Sequence, residues 1–124
     1  MDAEQFKKAV HPLLKAHGFK KSSATWRKHQ AESIAVFNIQ KSQWGEGFYV
    51  NIGMYFGALG KDRVPTENKC HVQTRLEATD PSKVVTMALR WFNRRATLRG
   101  ARQLAESDSK KGLVFWGLRE TPVT

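Results

Sequence analysis

Arg27, Asn38, Gln40, Tyr49, Asn51, Gln73 and Arg75 recur at alternate positions of stretches that read as extended chain. Guanidiniums, amides and a phenol ring on one surface suit unpaired bases, since amides and guanidiniums bond base edges and flat groups stack on base faces. The same alternation arises in any antiparallel sheet with one face in water, and two facing asparagines also make a plain cross-strand hydrogen bond. A second set lies in the turn between two of these stretches, where Lys41, Ser42 and Trp44 precede Gly45 and Gly47. A tryptophan there either anchors a partner or folds back over the strand ends. Lys41 and Ser42 are anion donors, but the turn lacks the glycine spacing and trailing helix of a phosphate cradle. The third set is Lys83, Arg90, Arg94, Arg95, Arg99 and Arg102, a stretch with no acid in it. At about 100° per residue Lys83, Arg90 and Arg94 share a stripe. Such a stripe binds phosphates, or is a solvated face whose last cations interact favourably with the helix dipole.

Chemistry that makes or breaks bonds finds less support. His11, His17, His29, His71 and Cys70 lack the paired spacing of a metal site, and with Cys70 expected to point inward and His71 outward the two neighbours are not co-ligands. The chain has no nucleophile elbow, and its 11 acids are scattered. The expectation is a non-enzymatic protein with no metal and no cofactor.

The elements that must position these residues follow from periodicity. Phe6, Val10, Leu13, Leu14 and His17 recur at three and four, which predicts a helix over Ala3–His17, kinked at Pro12 and closed by Gly18 in a left-handed cap. Lys20 to Ser23 reads as a polar connection. Thr25–His29 and Ser33–Lys41 read as strands joined across Gln30 to Glu32, and a further hairpin follows. Bringing the apolar rows together pairs Phe37 with Ile52 and Ile39 with Val50, which sets Asn38 opposite Asn51 and Gln40 opposite Tyr49 on a polar reverse face. Cys70–Leu76 would add a fourth strand, and Gly57–Lys69 reads as a long surface loop. Thr79 or Asp80 caps a helix that starts at Pro81 and is stopped by Gly100. Ala101–Glu106 adds a helical turn, Ser107–Gly112 a loop and Leu113–Leu118 a last strand. The expected fold is α+β: one domain over residues 1–124, with a two-layer, largely antiparallel sheet of four or five strands and two main helices on one face.

With 124 residues, burial of roughly two thirds of the unfolded surface supports a core without staples. Lysine and arginine number 21 against 11 acids, a formal charge of +10 with a pI near 10.1. That balance attracts nucleic acid or acidic protein surfaces, and equally well serves solubility. A single cysteine and no apolar leader suggest a reducing, cytoplasmic setting. No run approaches the roughly twenty apolar residues that cross a bilayer, so no membrane role is expected.

The segments Leu14 to Lys21, Trp26-Arg27, Ile39 to Gly45 and Phe48 to Gly53, taken in order, resemble a bacterial family catalogued as a domain of unknown function, number four-three-zero-four. The resemblance runs from about Phe6 to Phe56. It implies a small bacterial cytoplasmic protein and brings no catalytic residues with it. By analogy alone, some small standalone bacterial domains serve as immunity proteins to toxins. The expected function is a binding module for an anionic partner, in its most concrete form single-stranded nucleic acid. Arg27, Gln40, Tyr49, Asn51 and Arg75 would meet bases, and Lys41, Arg90 and Arg94 phosphates. The alternatives are a protein-interaction module anchored by Trp44, or an enzyme.

Overall fold

Asp2 starts the first helix, α1 (Ala3–Ala16), with a reciprocal cap. Its carboxylate accepts from the Gln5 backbone N–H at 2.8 Å, and the Gln5 side chain accepts from the Asp2 N–H at 2.9 Å. The helix ends as its sequence requires. Gly18 sits at φ +88°, and the Phe19 N–H reaches back to the Leu14 carbonyl at 3.1 Å. The structure is a computed structural model and describes residues 1–45, 47–110 and 114–115.

Five strands follow as an antiparallel meander in which each pairs with its chain neighbour: β1 (Lys20–Ser22), β2 (Thr25–His29), β3 (Ser33–Lys41), β4 (Phe48–Phe56) and β5 (Val72–Leu76). A two-residue strand, β6 (Val114–Phe115), joins β5 at the far edge. The rest of the expected Leu113–Leu118 strand lies outside the described residues. In the central hairpin Phe37 faces Ile52, Ile39 faces Val50, Asn38 faces Asn51 and Gln40 faces Tyr49. The Lys20 to Ser23 connection is instead half of a hairpin, Ser22 pairing with Thr25 around a turn in which Ser23 takes φ +58°. A serine in the left-handed region replaces the Asn-Gly or Asp-Gly pair that normally announces such a turn.

The dry face of the sheet presents Trp26, Phe37, Ile39, Val50, Ile52, Met54 and Val72. It is covered by Phe6, Val10 and Leu14 of α1 and by Val84, Val85, Ala88 and Phe92 of α2 (Pro81–Arg94). Asp80 caps α2 by accepting from the Lys83 N–H at 3.1 Å. Contrary to expectation, α2 stops at Arg94 and a third helix, α3 (Leu98–Lys110), replaces the short turn and the loop foreseen after Gly100. The break has named causes. Arg95 is buried, its guanidinium lying 4.5 Å over the Trp91 ring and bonding the Trp91 carbonyl at 3.2 Å. The Ser33 hydroxyl donates to the Ala96 carbonyl at 2.7 Å, and Thr97 caps the new helix through the Gly100 N–H at 3.0 Å. Gly100 therefore stops nothing. A Cβ there would lie 3.1 Å from the Arg94 carbonyl, so its bareness lets α3 abut the end of α2.

The reverse face is not wholly polar. Val36, Tyr55 and Cys70 form a second small apolar cluster there, with Ile34 against it. Gly57–Lys69 folds back over this half of the sheet instead of running free, and ends in a 3₁₀ turn at Glu67–Lys69. That turn breaks the alternation assumed for Cys70. Strand β5 begins only at Val72, and Cys70 lies over Gly53 on the reverse face, not on the inward one.

Candidate functional site

The covered half of the reverse face is fastened by side chains that the sequence offered as ligand groups. Arg27 donates from Nε to the Pro65 carbonyl at 2.9 Å, and Gln73 donates to the Asn68 and Cys70 carbonyls, each at 2.9 Å. The Tyr55 hydroxyl accepts from the Asp62 N–H at 3.0 Å. His71 lies on the reverse face as expected, yet buried, stacked 4.5 Å from the Tyr55 ring. Its Nδ1 accepts from the Phe56 N–H at 2.9 Å. Burial pushes Cys70 up to about 12, with the nearby Glu67 charge adding to the effect, so the thiol stays protonated and is no nucleophile near neutrality. Among the described residues no group of histidines, cysteines and acids is placed to hold a metal ion.

His71 gives the fold a pH dependence of definite sign. Burial holds its pKa below the ordinary 6.5, with a backbone bond at Leu59 acting against the shift. The neutral ring therefore stabilises the fold fully above about pH 6.5, and that contribution is lost as pH falls through the depressed folded value. Urea midpoints measured from neutral pH down to about pH 5 should fall more steeply for the native chain than for His71→Gln, whose amide does not titrate. Parallel curves would remove His71 from this role.

The open half carries one connected network. Arg75 Nε donates to Asn51 Oδ1 at 3.0 Å, and Asn51 Nδ2 donates to Asn38 Oδ1 at 3.3 Å and to Gln40 Oε1 at 3.0 Å. Asn38 Nδ2 in turn donates to Thr25 Oγ1 at 3.0 Å and to the Ala24 carbonyl at 3.3 Å. The row Thr25, Asn38, Asn51, Arg75 crosses four strands in register. Cross-strand pairing places these groups together, and every donor points the same way across the sheet. Asn51 is buried and fully engaged, so it orients its neighbours and does not face a ligand. Arg75 is exposed, its guanidinium carbon 4.0 Å over the Tyr49 ring centroid. Glu67 feels the charge of Arg75, which partly offsets the rise in its pKa caused by burial. The two form no ion pair, and both ion pairs among the described residues involve Glu4.

Other expected ligands are not brought to this site. Lys41 lies on the helix side of the sheet, 3.3 Å from Glu4 of α1, a carboxylate it shares with Lys7. Arg90 and Arg94 are exposed on α2, which packs on the dry face, so the sheet separates them from the amide network. Trp44 neither packs nor shields the strand ends. It is 91% exposed at the tip of the β3–β4 hairpin, and its backbone N–H donates to the Ser42 hydroxyl at 3.1 Å. Sequence reasoning missed Thr25 as the end of the relay, although the register it derived for Asn38 implies a neighbour on β2.

Among the described residues no helix is long and apolar enough to cross a membrane. A family model for a domain of unknown function, DUF4304, matches residues 10–100. No curated protein and no solved structure matches the chain. The family match extends beyond the central hairpin through β5 and α2, and so takes in the whole amide network together with the loop that bounds it. With most of its 124 residues inside that match, the chain belongs to the DUF4304 family.

Proposed function

We propose that the open half of the reverse face binds an anionic partner without catalysis, in its most concrete form single-stranded nucleic acid in a bacterial cytoplasm. The observation that carries this reading is the held guanidinium of Arg75. Its Nε is occupied by Asn51 and its central carbon sits over the Tyr49 ring. The two terminal nitrogens are left for a phosphate or a base edge, and the outer face of the plane is left for a base. A guanidinium fixed in advance loses little freedom on binding. Gln40, exposed beside it, keeps its amide NH₂ for hydrogen bonding, because only its oxygen is engaged by Asn51. The formal charge of +10 supports attraction at longer range.

Titration with a fluorescent single-stranded oligonucleotide at two salt concentrations tests the reading. The native chain should bind more weakly as salt rises, and Arg75→Ala should lower the salt slope by about one and weaken binding by about 1 to 3 kcal/mol. No binding by the native chain at low salt sinks the proposal. A second reading rests on the exposure of Trp44, which suits a protein contact of the toxin-neutralising kind. A partner lost on Trp44→Ala while oligonucleotide binding persists would favour it.

A further inference from the structure

At the corner where α1 runs into β1, a cavity of about 370 Å³ is lined by His11, Lys15, Gly18, Phe19, Lys20 and Lys21. The stem of Lys28 approaches from β2, since a Cβ on Gly18 would lie 3.6 Å from Lys28 Cε. Lys21 Nζ is held 5.7 Å over the Trp26 ring. Lys15, Lys21 and Lys28 thus surround one turn on the helix side of the sheet, whereas Lys20, opposite Arg27, contributes to the cavity from the edge strand and faces the reverse side; neither ion pair among the described residues reaches these lysines. One cation in the last turn of a helix is accounted for by its dipole. Three are not, particularly as the Leu14 and Lys15 carbonyls are already taken by the backbone N–H groups of the closing turn.

His11 adds a directed donor. The indole of Trp26 can only donate, and it lies 3.1 Å from His11 Nδ1, so that nitrogen accepts and the ring proton is on Nε2. We infer that this corner is a binding pocket for the phosphate group of a small phosphorylated metabolite. The donor chemistry separates phosphate from carboxylate. Carboxylates are recognised best by the planar fork of an arginine, and no arginine lines the cavity. Several independent ammoniums and an imidazole N–H instead suit a phosphate monoester, which carries about −1.5 to −2 charges on three acceptor oxygens. The volume falls within the range of small-ligand pockets, and the buried Phe19 gives the pocket an apolar wall. This corner is separate from Arg75 and does not depend on the nucleic-acid reading.

Amide NMR on the whole chain, at constant ionic strength set with chloride, tests the inference. Inorganic phosphate and glycerol phosphate should each produce saturable shifts confined to the Gly18 turn, Lys20, Lys21 and the His11 ring. Glycerol phosphate should bind at least as tightly as inorganic phosphate. In a Lys15→Gln, Lys21→Gln chain, affinity should fall about tenfold or more with two cations removed. Both lysines are exposed, so circular dichroism should be unchanged. Arg75→Ala should leave these shifts intact, which separates failure here from failure of the oligonucleotide titration. Shifts spread over all lysines, or none at the Gly18 turn of the native chain, would overturn the pocket whatever the variant does. Shifts produced only by phosphatidylcholine vesicles containing phosphatidic acid would overturn the assignment to a soluble ligand.

Discussion

Replacing Trp26 by alanine should remove about 3 to 5 kcal/mol of stability, the range for deleting a buried aromatic ring. Among the described residues Trp26 is the largest wholly buried side chain. Its ring meets Phe37 edge-on at 5.9 Å, and its indole N–H is bound by His11 at 3.1 Å. Truncation leaves a cavity between α1 and β2 and deprives a half-buried imidazole nitrogen of its donor. A domain of this size has about 5 to 15 kcal/mol in total, so the variant should sit near the edge of folding. Trp26→Phe should fall between the two, keeping most of the ring contact and losing the hydrogen bond. Urea unfolding checks both. A loss below about 1 kcal/mol for alanine would mean that α1 does not pack on β2 as described.

Gly53→Ala carries the second large effect, and it acts on the other side of the sheet. The new Cβ would stand 2.6 Å from Cys70 Cβ, 2.8 Å from Cys70 Sγ and 3.1 Å from the Val72 carbonyl. None of these is the loose end of a long side chain, so the 3₁₀ turn must lift. The expected cost is about 1 to 3 kcal/mol, typical of overpacking. Lifting also exposes Cys70, which is fully buried in the native chain. Reaction with a thiol reagent at alkaline pH should be slow for the native protein and fast for Gly53→Ala. Adding Cys70→Gly should recover part of the lost stability, because it removes the nearest two atoms. Native-like stability together with an unreactive thiol in Gly53→Ala would show that the loop is not seated on Gly53.

Much of this fold was legible in the chain, and the places where it was not share a cause. Strands β2 and β3, the β3–β4 register and the Gly18 cap follow from alternation and from glycine, both of which are local properties. The β1 hairpin was hidden because Ser23 adopts a conformation that its type does not advertise. The end of α2 was hidden because it depends on groups far away in sequence, Ser33 bonding Ala96 and Glu32 Oε1 accepting from the Leu98 N–H at 3.4 Å. At the site, alternation placed Asn38, Gln40, Tyr49, Asn51 and Arg75 on one face. It gave no sign that Arg27 and Gln73 would be drawn away to hold the loop, since a backbone carbonyl such as that of Pro65 leaves no signature in side-chain pattern. Nor could the pattern show that Lys41 pairs with Glu4, which lies on a helix whose position only packing determines.

A sheet whose spatial order repeats its chain order is assembled from contacts between near neighbours in sequence. Little loop-closure entropy opposes each added strand, so the low contact order favours rapid self-assembly from the long β3–β4 hairpin outward. The costly step is then the meeting of the first helix with the second, whose sequences lie at opposite ends of the meander. A nascent chain would lay down five of its six described strands before it could seal its interior.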